Sequence, residues 1–290
     1  MSIIHAVILG LIQGLSEFLP ISSTAHLTIA GRFLHLIDPA NPEAWTQFIA
    51  IIQLGTVTAV LLYFRRELWR MARAVVMDMG RLGLRGGFRG YSRDSILALY
   101  IVLGTLPVAA VGLTLRHIIE GALTKDLVVI VGSLILLAAL LWVAEKVARH
   151  QREMEAITWK DALIIGCAQV CALIPGASRS GTTITAALFL GITREAAARF
   201  SFLLSIPAVV ASGFLEAYEV YKDTALHPGA FHPGIANLVT ATVVAGIAGY
   251  ATIAWLLRYL MKNTTMLFVW YRFLLGLGIT ILLFFGLVQP

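Results

Sequence analysis

The sequence is poor in charge and in cysteine. Only 13% of its 290 residues are charged and 59% are hydrophobic, whereas a soluble globular domain has about 25% charged residues. The mean hydropathy of +0.85 and the apolar runs along the whole length exclude a soluble domain and indicate a polytopic membrane protein. The N-terminus lacks a basic segment and a small-residue cleavage site, so we expect no cleavable signal peptide.

The two cysteines, Cys167 and Cys171, are one helical turn apart in an apolar run. A disulfide between them would strain a helix, so we interpret both as reduced packing residues. No Cys/His spacing resembles a zinc site. The net charge of +6 does not predict nucleic-acid binding, because the arginines cluster in one loop, as a topology signal requires.

Six apolar runs are each close to the roughly 20 residues that a bilayer crossing needs. They cover residues 46–64, 95–115, 126–144, 200–218, 235–257 and 267–288. Two further apolar segments, 3–31 and 160–190, are interrupted by "FLPISS" and "LIPGASRSG". Because proline followed by Ser or Thr is typical of a helix start, each predicts a helix, a tight turn and a second short helix that returns to the side it entered. Such turns must be buried in protein or line a wet cavity.

The Lys and Arg residues are distributed unevenly between the two sides of this topology. The loops 65–93, 145–160, 191–199 and 258–266 together hold 16, and the opposite side holds 4. This bias predicts that the arginine-rich loop 65–93 is cytoplasmic. Since six is an even number of crossings, both termini are then expected on the outer, periplasmic side.

An internal repeat relates the two interrupted segments, "GLIQGLSEFLPISS" (10–23) and "GCAQVCALIPGAS" (166–178). The matched pairs, with one gap, are Gly10 with Gly166, Gln13 with Gln169, Pro20 with Pro175, and Ser23 with Ser178. We predict one membrane domain, 1–290, with inverted repeats about 1–150 and 155–290, because each half has one hairpin and three spans. Such folds place a site near the midplane, where the N-termini of half-helices converge.

Polar residues gather at both interruptions. The candidate site residues are Gln13, Glu17, Ser22, Ser23 and His26 in the first segment and Ser178, Arg179, Ser180, Gly181, Thr182 and Thr183 in the second. Backbone N–H groups, hydroxyls and an arginine at a helix start suit a phosphate. A structural ion pair between Glu17 and Arg179 is the plainer alternative, but two charges at bilayer depth cost roughly 5–7 kcal/mol, which apolar residues would avoid.

The sequence resembles the bacterial undecaprenyl-diphosphate phosphatases, also called bacitracin-resistance proteins. The resemblance covers essentially the whole chain. It is strongest at "QGLSEFLPISSTAHL" (13–27), which fits the family's Glu/Gln-x-x-x-Glu and Ser-Ser-x-x-His motifs, and at "PGASRSGTT" (175–183), which fits P-G-x-S-R-S-G-x-T. The resemblance implies an all-α inner-membrane enzyme with two re-entrant hairpins in inverted halves.

The activity that this resemblance implies is removal of the terminal phosphate from undecaprenyl diphosphate, which recycles the lipid carrier for cell-wall synthesis and confers bacitracin resistance. The implied partners are this lipid substrate and membrane lipids, with no nucleic acid, and a homodimer is left open. By the same resemblance Ser23 is the nucleophile and His26 the proton acceptor and donor. Arg179, the Ser178–Ser180 amides and Thr183 would hold the diphosphate.

Glu17 has two candidate roles: it orients His26, or it holds a Mg²⁺ or Ca²⁺ that bridges the phosphates. Gln13 stands where many relatives have Glu, so Glu17 is the one acid at this place. Direct attack by water that Glu17 and His26 activate fits nearly as well as attack by Ser23. Since the candidate nucleophile and base lie on the first segment, we expect the site to open to the periplasmic face.

The main alternative is a lipid-phosphate transporter or flippase, because inverted repeats with re-entrant hairpins are common in transporters. Transport needs an anion site, but it does not need a nucleophile beside a base. The phosphatidic-acid phosphatase type 2 family acts on the same substrate, but its signature needs a histidine that "SRSGTTIT" (178–185) lacks.

Overall fold

The protein is described by a computed structural model over residues 1–37, 42–82, 90–115, 126–226, 234–286 and 288. In these ranges every helix is α apart from two 3-10 turns, and the fold is all-α, as predicted. The α-helices are α1 (Ile3–Ser16), α2 (Ser23–Phe33), α3 (Pro42–Tyr63), α4 (Arg65–Leu82), α5 (Arg93–Thr114), α6 (Leu127–Val147), α7 (Trp159–Val170), α8 (Arg179–Phe189), α9 (Arg194–Leu226), α10 (Ile235–Leu260) and α11 (Met266–Phe284). The 3-10 turns are Met154–Ala156 and Cys171–Leu173.

Six helices of the described ranges are long and apolar enough to cross a membrane: α3, α5, α6, α9, α10 and α11. They confirm the six predicted spans and a polytopic membrane protein. Their outer surfaces expose large apolar side chains, among them Val102, Ile247 and Leu274 at 57%, 70% and 68%. Apolar surface on this scale requires a lipid environment.

Four helices are too short to cross alone. α1, α2, α7 and α8 have 14, 11, 12 and 11 residues, or about 17–21 Å at 1.5 Å per residue, against a hydrocarbon core of about 30 Å. α1 packs on α2, and α7 packs on α8. We call these pairs the first and the second hairpin.

Three expectations, two about helix positions and one about the cysteines, need correction. The segment 65–93 was expected to be a loop, but its first part is the amphipathic helix α4. The many arginines of α4 lower its mean hydropathy, so it does not stand out as an apolar run. α9 begins at Arg194, well before residue 200, because "REAAARF" combines low hydropathy with the strong helix preference of alanine. Cys167 and Cys171 form no disulfide, as expected, but both are exposed and do not pack in the core. Four basic residues counted for the topology lie outside the described residues: Arg85, Arg89, Arg116 and Lys125.

The two hairpins are built on the same chain spacing. Each helix of the second hairpin starts 156 positions after its counterpart: α1 at Ile3 and α7 at Trp159, α2 at Ser23 and α8 at Arg179. Both α2 and α8 run for 11 residues. The inverted orientation of the two halves in the membrane stays a prediction.

Glycines place each hairpin against a span from the other predicted half. α1 packs on α10, where a Cβ at Gly10 would lie 2.5 Å from the carbonyl oxygen of Ala241. α7 packs on α5, where a Cβ at Gly166 would lie 2.1 Å from the carbonyl oxygen of Gly104. Distances this short exclude any side chain, so both contacts require glycine.

The largest buried apolar cluster surrounds the turn of the first hairpin. Phe18 is 1% exposed, and its ring centroid lies 5.1 Å from that of Phe202 in α9, in an edge-to-face contact. Ile21 belongs to the same cluster. A buried aromatic pair of this kind contributes about 0.5–1.5 kcal/mol beyond its area, and it fixes the backbone beside Glu17.

Candidate active site

The turn of the first hairpin is strained. Ser22, the N-cap of α2, has a φ of 74°, and its hydroxyl oxygen accepts a hydrogen bond from the Ala25 N–H at 3.3 Å. A positive φ in a residue other than glycine costs of order 1–3 kcal/mol, and such strain is concentrated at functional sites. Packing around Phe18 and Ile21 holds the turn in this conformation.

The turn of the second hairpin repeats this geometry. Ser178, the N-cap of α8, has a φ of 70°, and its hydroxyl oxygen accepts from the Gly181 N–H at 3.1 Å. Ser22 and Ser178 are therefore the equivalent residues, again 156 positions apart. The predicted match of Ser23 with Ser178 is wrong by one residue, because the chain needs no gap between Gln13 and Ser22.

One buried carboxylate joins the two hairpins. Glu17 Oε1 accepts a hydrogen bond from the guanidinium of Arg179 at 2.6 Å. Its Oε2 accepts from the amide of Gln13 at 2.8 Å and from the hydroxyl of Ser23 at 2.7 Å. Glu17 is 6% exposed, so these bonds form away from bulk water, where charge-assisted hydrogen bonds are strong. The structure thus brings together four of the predicted site residues.

Arg179 retains unused hydrogen-bonding capacity. Its guanidinium bonds to Glu17 and, at a long 3.5 Å, to the carbonyl oxygen of Ser205. A guanidinium has five N–H donors, so three form no hydrogen bond among the described residues. Since Arg179 is also the first residue of α8, its charge adds to the positive end of that helix dipole, a favourable place for an anion.

His26 is held away from the candidate nucleophile. Its Nδ1 lies 2.6 Å from the carbonyl oxygen of Ser22, and its Nε2 lies 2.6 Å from the hydroxyl of Tyr271. In the neutral ring, Nδ1–H donates to that carbonyl and Nε2 accepts from the tyrosine. In the described structure His26 forms no hydrogen bond with Ser23 or Glu17, so the group in contact with the Ser23 hydroxyl is the Glu17 carboxylate.

The remaining predicted hydroxyls of the second hairpin bond mainly to backbone carbonyl oxygens. Ser180 donates to the carbonyl oxygen of Leu19 at 3.0 Å and so links the two turns. Thr182 and Thr183 donate to the carbonyl oxygen of Arg179 at 3.0 and 2.8 Å. Thr183 is fully buried, with its hydroxyl 2.6 Å from that of Ser201 in α9. A role for Thr183 in substrate binding would therefore require this packing to open.

Arg272 was not predicted as a site residue, yet it holds both turns in place. The side chain is 0% exposed. Its guanidinium donates at 3.1–3.3 Å to carbonyl oxygens of both turns and of α6: Pro20, Gly176, Ala177, Ser133 and Leu134. No carboxylate pairs with it among the described residues. A lone arginine in the apolar run 267–288 was the available signal, because such a charge is costly in a membrane unless it has a function.

Gln13 offers an oxygen to an additional ligand. A carboxylate only accepts hydrogen bonds, so the Gln13 amide nitrogen must face Glu17. The other atom, Oε1, is buried and has no hydrogen-bond partner in the described structure. Carboxylate and amide oxygens are the ligands that Mg²⁺ and Ca²⁺ prefer, so this pair fits a divalent cation that takes its other ligands from phosphate or water. No group of three or more His, Cys, Asp or Glu suited to a metal occurs in the described ranges.

A comparison with protein families identifies the family of the chain. The family model described as bacitracin resistance protein BacA matches residues 6–278, a range that contains both turns and all but the first three residues of the first hairpin. The chain belongs to the bacitracin resistance protein BacA family.

Individual relatives in the BacA family are similar over nearly their full length. A protein of Syntrophobacter fumaroxidans named undecaprenyl-diphosphatase is 51% identical over 95% of both chains. Proteins of the same name from Chlorobium luteolum and Myxococcus xanthus are each 46% identical over 100% of this chain, and cover 100% and 92% of their own lengths.

Proposed function

We propose that this chain is an undecaprenyl-diphosphate phosphatase, which hydrolyses undecaprenyl diphosphate to undecaprenyl phosphate and inorganic phosphate. The product would re-enter cell-wall synthesis as the lipid carrier, and its supply would confer bacitracin resistance. The observation that carries the proposal is the Glu17 carboxylate, which bonds at once to the hydroxyl of Ser23 and to the guanidinium of Arg179. Membership in the BacA family and relatives that are named undecaprenyl-diphosphatase support it.

The diphosphate would be bound at the start of α8. The unused N–H donors of Arg179 and the positive helix end suit two phosphate groups. The hydroxyl of Ser178 and the backbone N–H of Ser180 at that helix start would supply further donors, and the N–H of Gly181 would first have to leave the Ser178 hydroxyl oxygen. Only the head group requires polar surroundings, so the isoprenoid tail would lie against the apolar outer faces of the spans.

Ser23 would attack the terminal phosphorus. Its hydroxyl proton passes to the Glu17 carboxylate, its oxygen forms a bond to phosphorus, and the bond from phosphorus to the bridging oxygen breaks. Undecaprenyl phosphate leaves, and water then hydrolyses the phosphoserine to free Ser23 and inorganic phosphate. Removal of general base catalysis costs about 10²–10⁴-fold, and Arg179 would stabilise charge on the transferring group.

Water that attacks phosphorus directly, with Glu17 as its base, requires the same contacts and is the second route. His26 as the proton acceptor and donor remains a prediction. Its Nε2 would reach the reacting groups only after it exchanged the tyrosine hydroxyl of Tyr271 for another partner. Incubation with labelled substrate, acid quench and mass spectrometry distinguish the routes, since only the first labels Ser23.

A divalent cation, Mg²⁺ or Ca²⁺, is proposed as a cofactor. Glu17 and the free oxygen of Gln13 would hold it, together with oxygens of the substrate. When bound, it would neutralise negative charge on the diphosphate.

Phosphate release by the purified protein tests the function. In detergent solution, undecaprenyl diphosphate should yield one inorganic phosphate per molecule, and Ser23→Ala at matched protein level should show either the loss expected of a nucleophile or the residual rate expected of water attack. A wild-type protein that moves the lipid across vesicles without releasing phosphate would establish the transporter or flippase alternative.

The orientation completes the proposal: both termini periplasmic, loop 65–93 cytoplasmic, and the site open to the periplasmic side. Cysteines at the exposed positions Lys222 and Arg149 test it, in a background without Cys167 and Cys171. An impermeant thiol reagent should label the first in intact spheroplasts and the second only after lysis. The reverse pattern would place the site on the cytoplasmic side.

A further inference from the structure

Helix α4 takes no part in the proposed chemistry, and its position is unusual. It joins the consecutive spans α3 and α5, so both of its ends lie on one side of the membrane. Seven of its 18 residues are charged, and it is not among the candidate spans of the described ranges. α4 therefore runs along one membrane surface for about 27 Å.

One face of α4 is anchored along its whole length. Near its start Glu67 accepts from the guanidinium of Arg199 at 2.8 Å, and in its middle Met71 is buried in the core. Near its end Asp78 accepts from the hydroxyl of Ser95 at 2.6 Å. This hydrogen bond lowers the pKa of Asp78, so the anchor is ionised at neutral pH. Because α4 cannot roll, its two other faces have fixed directions.

The second face is an exposed apolar stripe. Trp69, Ala72, Val76 and Met79 follow each other at spacings of three, four and three, which places them in line on a helix. Trp69 is 71% exposed and Val76 is 72% exposed. Apolar surface of this kind costs about 25 cal/mol per Å² in water, and acyl chains would remove that cost.

The third face is a stripe of exposed arginines beside a cavity. Its members are Arg66, Arg70, Arg73 and Arg81. The cavity is about 400 Å³ and is lined by Tyr63, Phe64, Arg66, Glu67, Arg70 and Arg199. Glu67 pairs with Arg199. Across the described part of the chain, Arg66 and Arg70 have no acidic partner, so the lining carries an excess of two positive charges.

We propose that α4 lies in the membrane interface, with its apolar stripe among the acyl chains, and that Arg66 and Arg70 bind the phosphate of an anionic phospholipid headgroup in this cavity. A helix with apolar and arginine-rich faces is typical of interfacial binding. The excess positive charge favours a headgroup with net negative charge over a zwitterionic headgroup. Each arginine near an anionic surface contributes about fivefold in affinity.

Depth labelling tests the orientation of α4 with two neighbouring positions. In a chain without Cys167 and Cys171, a bimane label is placed on a cysteine at Ala72, on the apolar stripe, or at Arg73, on the arginine stripe. In phosphatidylcholine vesicles with phosphatidylglycerol, brominated acyl chains should quench the label at 72 and leave the label at 73 unchanged. If a water-soluble quencher reaches both labels and brominated chains reach neither, α4 faces water and the proposal is wrong.

Lipid retention tests the headgroup site. The protein is purified from nanodiscs of equal phosphatidylglycerol and phosphatidylcholine, and the retained lipids are counted by native mass spectrometry. Arg66→Gln with Arg70→Gln should lower the preference for phosphatidylglycerol by about fivefold per arginine. Arg149→Gln with Arg258→Gln removes the same charge from exposed positions on the same predicted side and should leave the preference unchanged. Equal losses in the two variants, or none in either, would overturn the site.

Discussion

The two hairpins share a backbone and differ in chemistry. The helix starts, the strained serine caps and the buried glutamines recur at the same spacing of 156 residues. Three positions differ in kind: Glu17 corresponds to Leu173, Ser23 to Arg179, and His26 to Thr182. The first hairpin thus holds the acid, the hydroxyl and the imidazole, and the second holds the cation. One scaffold, used twice, separates the groups that would react from the group that would bind phosphate.

Among the variants that test this division, Glu17→Gln should reduce phosphate release the most, because Glu17 joins the two hairpins. Its carboxylate contacts the hydroxyl in its own hairpin and the guanidinium in the other, so we expect a loss of phosphate release of at least about 10³-fold, within the range for a general base. Gln13→Ala should cost less than about tenfold, because it removes one hydrogen bond to the Glu17 carboxylate, which keeps its bonds to Ser23 and Arg179. Comparable losses in the two variants would show that both residues bond to the substrate instead.

Arg179→Ala tests the contribution of the second hairpin. We expect a loss of about 10²–10³-fold in turnover with nearly normal expression, since removal of one donor to developing charge has this effect. Arg179→Lys should restore little, because an ammonium does not reproduce the bidentate fork. Near-normal phosphate release in either variant at matched protein level would refute the phosphate-binding role.

Arg272→Met tests whether the two turns depend on one shared donor. It leaves carbonyl oxygens of both hairpins without a partner, and each buried unsatisfied group costs about 1–3 kcal/mol. We therefore expect at least about 3 kcal/mol of destabilisation in thermal unfolding in detergent. The exposed Arg258→Gln in α10 is the control. An unchanged melting temperature for Arg272→Met would mean that each turn is stable alone.

The smallest expected effect is a difference in stability between substitutions at the two buried glutamines, Gln13 and Gln169. Gln13→Leu removes a donor from Glu17 and should cost about 1–3 kcal/mol of stability. Neither amide atom of Gln169 has a hydrogen-bond partner in the described structure, so Gln169→Leu should be neutral or slightly stabilising. Thermal unfolding of both variants decides the matter, and equal destabilisation would indicate that Gln169 has a bound partner such as water.

The spans and the two interruptions were predictable because their signals are local. An apolar run of about 20 residues or a proline followed by serines can be recognised without knowledge of the rest of the chain. Helix α4 was missed because its apolar residues alternate with arginines and form no continuous apolar run. The repeat match paired Ser178 with Ser23 and not with Ser22, because the positive φ that Ser22 and Ser178 share is stabilised by tertiary packing that the sequence does not display.

The partners of the site residues were harder to predict because they are distant in sequence. Arg272 bonds to carbonyl oxygens rather than to side chains, and any residue supplies a carbonyl. The contact of His26 with Tyr271 joins residues 245 positions apart. An ion pair between Glu17 and Arg179 was considered from the sequence. The hydrogen bond from Ser23 to Glu17 was not predicted, because that bond depends on the rotation of α2 relative to α1.

The glycine contacts also determine when, during translation, each hairpin has a complete surface to pack against. The second hairpin docks through Gly166 on α5, which the ribosome has already completed when that hairpin emerges. The first hairpin docks through Gly10 on α10, which is made more than 200 residues later. The docking surface for the hairpin that carries the cation is therefore synthesised before the docking surface for the hairpin that carries the acid and the hydroxyl, and Arg272, which bonds to both turns, is synthesised after both. The enzyme can become active only when synthesis is nearly complete.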